Sequence, residues 1–300
     1  MKHSIIASLI IGGIIVSGFM SCTSAAETSH IPAVSFSESD GIFAHRVGQF
    51  EVFMLVEAQR EGNTGIIPGA SDEILERYIP ADGFNHSTNV FVVKTSDQII
   101  VVDTGFGNTI FEKMELLGIL PEQVDAVLLT HMHGDHFGGL QKDSHPLFPN
   151  AKVYLDSRDR EHFTVIAPNQ GAADALAAYG ENVETFDADV LGSTYREILP
   201  GVSALANYGH TPGHTVYLIA NGGDRLIIAG DFLHVALVQF PHPEISATFD
   251  VDQSAAAVSR RQILEYAATN NIPIGGMHIV YPGMGDVEAD GEGFKFIPKR

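Results

Sequence analysis

The sequence predicts a layered α/β domain. Three observations carry that expectation. β-Branched runs fall into two groups along the chain, helical patterns lie between and after them, and several apolar runs end in a histidine or an aspartate. No linker or repeat divides the chain, so one domain is expected.

The elements follow in order. "VGQFEVFMLVEA" (47–58) partly alternates apolar and polar residues, as a strand does, and "EGNTGIIPGASDE" reads as loop. "NVFVVKT" and "QIIVVDTG", split by "SD", predict a hairpin. "NTIFEKMELLG" predicts a short helix capped by Asn108 and stopped by Gly118, and "DAVLLTH" the next strand. "AKVYLD" is a strand, "SRDREHFTVI" a helix, and "NQGAADALAAYG" a helix capped by Asn169. "VSALANY", "TVYLIAN" and "RLIIAGD" form the second strand group. "DQSAAAVSRRQILEYAATNN" is the longest helical pattern, and "IPIGGMH" a late strand.

Composition narrows the partners. The 300 residues are 45% hydrophobic and 18% charged, with 37 acidic against 17 basic residues and a formal net charge of −20. A surface that acidic repels nucleic acid and anionic lipid, so a small molecule is the expected partner. Lys2, the apolar run "IIASLIIGGIIVSGFM" and the small residues of "SCTSAAE" have the order of a secretory signal, and the run is short for a span of about 20 residues. We therefore expect a signal over 1–26, an extension over 27–46 and one domain over 47–300, in a periplasmic or secreted protein with no spanning segment after cleavage. Cys22, the single cysteine, stands where a lipoprotein signal carries its acylated residue, although Phe19 departs from the usual Leu; lipid anchorage stays open beside plain cleavage.

The chemistry is concentrated in "VLLTHMHGDHFGG". In extended backbone His131 and His133 point the same way and can grip one ion, while Asp135 and His136, past Gly134, can face a second. Imidazole and carboxylate suit Zn²⁺ and also Mn²⁺, Fe²⁺ or Co²⁺. His214 in "GHTPGHT", Asp231 ending "RLIIAGD" and His278 ending "IPIGGMH" offer the missing ligands. Each alone is also what a surface turn carries; together, in this order, they form a pattern.

HxHxDH, then His, Asp and His, resembles the metallo-β-lactamase fold superfamily. The resemblance implies a four-layer αββα sandwich with a dinuclear site. Carried over, His131, His133 and His214 hold one ion, Asp135, His136 and His278 the other, and Asp231 bridges. Asp103 in "VVDTG" orients a ligand histidine, and His210 stands in the second rank. Two ions, most simply zinc, sharing a water would bring its pKa from 15.7 to about 7, and Asp135 could shuttle a proton to the leaving group.

Within the superfamily, the sequence is most similar to the exported methyl parathion hydrolase and quorum-quenching lactonase branch, through "LPEQVDAVLLTHMHGDHFGGL", "LPGVSALANYGHTPGHT", "GDFLHVALVQF" and "GEGFKFIP". That branch implies a homodimer and an aromatic pocket. The chain has no Trp; Phe163 stands where the phosphotriesterase keeps a pocket Trp, and Phe106 and Phe240 are expected nearby. His234 falls where some lactonases keep a tyrosine that binds the substrate carbonyl, so it joins Asp135 and Asp231 as a catalytic candidate. The expectation is an exported dinuclear hydrolase of lactones, N-acyl-homoserine lactones among them, with promiscuous ester and phosphotriester hydrolysis. A thioesterase or arylesterase of the same fold and a metal-binding module without turnover remain as alternatives.

Overall fold

The computed structural model describes Met1 and residues 36–300. The expected signal, Cys22 and the start of the 27–46 stretch lie outside the described residues. Two seven-stranded sheets organise the rest. The first runs β1 (Ile42–Val47), β2 (Phe50–Glu61), β3 (Asn85–Lys94), β4 (Ile99–Val102), β5 (Ala126–Leu128), β6 (Lys152–Asp156) and β7 (Val183–Phe186) in spatial order. Its first four strands are antiparallel neighbours and its last four parallel ones. The second runs β8 (Glu197–Leu199), β9 (Val202–Ala206), β10 (Thr215–Asn221), β11 (Asp224–Ile228), β12 (Ile274–Gly275), β13 (Met284–Asp290) and β14 (Gly293–Pro298). All its pairs are antiparallel except β11 with β12.

The period-2 alternation of strand side chains sorts each sheet into two faces. On β4, Ile100 and Val102 turn inward with Val52, Met54 and Phe91 to meet Tyr217, Ile219, Leu226 and Ile228 of the other sheet. Val101 turns outward, with Val92 and Val127, onto Ile110 and Met114 of the helix Ile110–Leu116 and Leu176 of the helix Gln170–Tyr179. The second sheet's outer face, with Val216, Leu218 and Ile227, takes Ile263, Leu264 and Ala267 of the long helix Gln253–Asn270. Helix, sheet, sheet, helix are thus the four layers, each buried on the face that its sequence makes apolar.

Some boundaries differ from expectation. Ile42–Val47 is an edge strand, so the sheet begins inside the stretch assigned to an extension. Ala44 and Arg46 are exposed and His45 half-buried, so the strand shows no clean apolar alternation, which hid it. Gly48 turns the chain from β1 into β2 with a φ of +59°. "DAVLLTH" and "IPIGGMH" pair over only three and two residues, because each then leaves its sheet to enter the site.

Candidate dinuclear metal centre

Every candidate ligand follows the end of a strand. β5 ends at Leu128 and delivers His131 and His133, and the short helix Gly134–Phe137 adds Asp135 and His136. From the second sheet, His210 follows β9, Asp231 follows β11 and His278 follows β12.

Three ring nitrogens form a nearly equilateral triangle. His131 Nε2 lies 3.0 Å from His133 Nδ1, His133 Nδ1 lies 3.0 Å from His210 Nε2, and His210 Nε2 lies 3.1 Å from His131 Nε2. Three atoms about 2.1 Å from one ion in near-tetrahedral array stand about 3.4 Å apart, close to this spacing. Burial, the first cause in each case, pushes His131 well below the usual histidine range, His133 to about 4 and His210 to about 3. The rings are therefore neutral near pH 7, and their converging lone pairs suit a cation.

Asp231 sits at the junction. Its Oδ2 is 3.0 Å from His278 Nε2, 3.5 Å from His210 Nε2 and 3.8 Å from His131 Nε2, and its Oδ1 is 3.2 Å from His136 Nε2. Burial opposes its charge, yet His136 and His278 hold its pKa well below the usual carboxylate range. Asp135 completes a second group, with Oδ1 3.7 Å from His136 Nε2 and Oδ2 3.7 Å from His278 Nε2. His136 Nε2 and Asp231 Oδ1 are buried with no hydrogen-bond partner. Such orphans are rare in folded proteins unless another group satisfies them. The two adjoining groups of donors fit two divalent metals.

The surroundings fix which ring nitrogen faces inward. Asp103 Oδ2 accepts from His136 Nδ1 at 2.6 Å and from Thr130 Oγ1 at 2.7 Å, while Asp103 Oδ1 accepts from Thr130 N. With its proton spent on Asp103, Thr130 Oγ1 accepts from His131 Nδ1 at 3.1 Å. His278 Nδ1 donates to Ser87 O at 2.7 Å, and His210 Nδ1 to Asp250 Oδ1 at 2.9 Å. Each of these four rings is left with Nε2 toward the centre, an arrangement that usually raises ligand basicity. Asp103 was legible as an orienting residue. Asp250 was not.

The structure exchanges two assigned roles. His210, expected in the second rank, supplies a corner of the triangle. His214, expected as a ligand, has both nitrogens engaged elsewhere: Nδ1 donates to Asn207 O at 3.0 Å and Nε2 accepts from Asp231 N at 2.9 Å. It positions the main chain of Asp231 instead. Gly230 permits this closeness, since a Cβ there would fall 2.6 Å from His214 Nε2 and its φ is +54°. "GHTPGHT" holds two histidines four residues apart, and spacing alone does not choose between them.

Asp250 has a second partner. Arg260, 1% exposed, donates from Nη2 to Asp250 Oδ2 at 3.3 Å, from Nε to Phe232 O at 2.5 Å, and from Nη1 to Pro243 O and Ile245 O at 2.8 and 2.9 Å. The long helix thus grips the segment that carries Asp231, His234 and Asp250. Replacing Asp250 with Asn keeps the shape but removes the charge behind His210. We expect metal affinity to fall about 10- to 100-fold, the usual range for such partners, read by competition with a chelator; unchanged affinity would remove Asp250 from this role.

A cleft of about 620 Å³ opens over the centre. Asp135, Asp231, His234 and His278 line its floor, and Phe106 and Phe249, 42% and 49% exposed, stand among its walls. His234 Nε2 is 3.2 Å from Asp231 Oδ2, and its ring stacks on His278 at 5.0 Å between centroids. Two expected pocket aromatics are displaced. Phe240 is 3% exposed and stacks on Phe296 in the outer core of the second sheet, and Phe163 lies buried, edge-on to His133 at 5.6 Å. Phe249, Arg60 and His86 line the cleft without having been singled out as pocket residues; a single residue in a loop or near a strand end carries no periodic signal.

A family model described as the metallo-beta-lactamase superfamily matches residues 83–271. Among solved structures, AidC, a dizinc quorum-quenching lactonase crystallised with a product, aligns at TM-score 0.77 and 24% identity over 87% of this chain and 98% of its own. The hydrolase AbOPH aligns at TM-score 0.75 and 26% identity over 87% of this chain and 98% of its own. A hydroxyacylglutathione hydrolase of Aeromonas hydrophila is 27% identical over 162 residues, 53% of this chain and 50% of that protein. An uncharacterized Bacillus subtilis protein, YobT, is 26% identical over 146 residues, 48% of this chain and 60% of its own. The chain spans about half the length of the curated relatives it matches.

Proposed function

The chain belongs to the metallo-beta-lactamase superfamily, and from that premise we propose that it is a dinuclear metal-dependent hydrolase that opens lactones, N-acyl-homoserine lactones among them. The observation that carries the reading is the triangle of His131, His133 and His210 joined through Asp231 to Asp135, His136 and His278. Two divalent ions, with zinc the proposed identity, supply Lewis acidity and a water that deprotonates near neutral pH when bound.

The chain's own residues do the rest. Asp103, Thr130, Asp250 and Ser87 O hold the rings in the ligating tautomer. His234, beside Asp231 on the cleft floor, is placed to hydrogen-bond the substrate carbonyl. Asp135 is the more open of the two site carboxylates, its side chain 20% exposed against 3% for Asp231, and is the group we assign to pass a proton to the leaving alkoxide. Phe106 and Phe249 give the acyl chain an apolar surface. Phe249→Ala should raise KM for a hexanoyl lactone about tenfold, from roughly 1.5 kcal/mol of lost apolar burial, with kcat little changed. An equal loss for butanoyl and hexanoyl substrates would count against a chain-binding role.

Similarity to a hydroxyacylglutathione hydrolase supports thioester hydrolysis as a second reading. Rates of metal-loaded protein on an acyl-homoserine lactone, an aryl ester, a thioester and a phosphotriester, measured beside metal content, separate these readings. Fastest opening of the lactone is expected. Two ions per chain with no turnover would favour a binding module. Export through a signal over residues 1–26, with attachment at Cys22 as the alternative to plain cleavage, and a homodimeric state belong to the same proposal; mass spectrometry of the mature N-terminus and light scattering test them.

A further inference from the structure

We propose that Arg60 and His86 form a subsite that binds the carbonyl oxygen of an amide-bearing side arm on the substrate. The inference rests on the lactone-hydrolase reading and names the substrate feature that the same cleft selects. Arg60 and His86 are directly opposed on the antiparallel pair β2 and β3, so their side chains leave the same face of the sheet. Both line the cleft over the metal centre.

Each is free to take a ligand. The Lys and Arg ion pairs of the described residues are made by Arg46, Lys152, Arg196, Arg260, Arg261 and Lys299, and Arg60 is in none of them. His86 is 5% exposed, its Nδ1 has no hydrogen-bond partner, and its ring lies against His278 at 4.4 Å between centroids. Asn63 and Glu61 complete this polar corner, while Phe106, Phe249 and Ile66 make the rest of the wall apolar.

A ligand spanning that cleft needs an apolar arm and, near the reacting carbonyl, a second acceptor for Arg60. The net charge of −20 disfavours anionic substrates at a distance, and Glu61 does so locally. A neutral amide carbonyl is therefore the acceptor assigned here rather than a carboxylate. Hydrogen bonds to charged donors are among the stronger ones, so an acceptor that meets Arg60 favours a substrate that carries it over one that lacks it.

The test compares N-hexanoyl-homoserine lactone with a γ-lactone whose alkyl chain has the same length but no amide, and with a γ-lactone bearing a carboxylate. The proteins are the metal-loaded wild type, Arg60→Met, Arg60→Lys and His86→Phe, the last keeping a ring against His278. In Arg60→Met the preference for the amide lactone over the plain one should fall about tenfold, chiefly through KM, with partial recovery in Arg60→Lys and metal content constant. His86→Phe should move the same ratio in the same direction. A preference unchanged in Arg60→Met, or both lactones slowed equally, overturns the subsite. A larger loss on the carboxylate substrate than on the amide overturns its assignment to a neutral acceptor. Calorimetric titration with N-propylhexanamide, a neutral amide without a lactone or a carboxylate, reports separately from turnover. If the wild type opens no lactone, the hydrolase reading falls, while an affinity for this amide about tenfold weaker in Arg60→Met still supports the subsite and an equal affinity overturns it.

Discussion

Replacing Asp231 with Asn is expected to remove metal and activity together. The carboxylate stands within 3.0–3.8 Å of ring nitrogens from both donor groups, so its charge serves both positions. The amide keeps the volume but halves the acceptor capacity and turns two N–H donors toward nitrogens whose lone pairs already converge. Loss of Lewis-acid stabilisation worth several kcal/mol corresponds to a fall in kcat/KM on the order of a thousandfold, at about 1.4 kcal/mol per decade. Elemental analysis after gel filtration should find fewer than two ions per chain, and single-turnover assays should show the loss. A variant that keeps both ions and its rate would separate Asp231 from the bridging role.

The second large effect distinguishes His210 from His214. His210→Ala removes a corner of the nitrogen triangle, so one ion should be lost and excess metal should not restore the rate. His214→Ala removes no inward-facing donor. It deprives the buried Asp231 N–H of its acceptor, which costs about 1–3 kcal/mol of stability, and lets the Asp231 backbone drift. That variant should unfold at lower urea, bind metal more weakly and recover most activity at saturating metal. Recovery in His210→Ala and none in His214→Ala would reverse the roles assigned by the geometry.

How far the sequence could be read depends on the range of each signal. The HMHGDH run was legible because neighbouring residues on one loop converge without help from distant chain. Asp103 was legible as the polar end of an apolar strand, and so were Asp231 and His278. The choice between His210 and His214 was not, because it depends on Asp250, 40 residues later, pinning one ring and on Gly230 admitting the other. Phe240 and Phe249 are equally apolar on paper. Only the tertiary path puts the first under the second sheet and the second beside the cleft. The edge strand Ile42–Val47 was hidden for a related reason, since an edge beside solvent tolerates "HR" where a central strand would not.

The ligands' origins have a mechanical consequence. His131, His133, Asp135 and His136 hang from the first sheet, whereas His210, Asp231 and His278 hang from the second. An ion held by members of both sets acts as a rivet through the sandwich. Because it binds the folded form alone, it adds about 4 kcal/mol of resistance to unfolding at a thousand times its dissociation constant. Heat tolerance should therefore track the free-metal level of the surroundings, and a chelator should loosen the seam between the sheets as it silences the site.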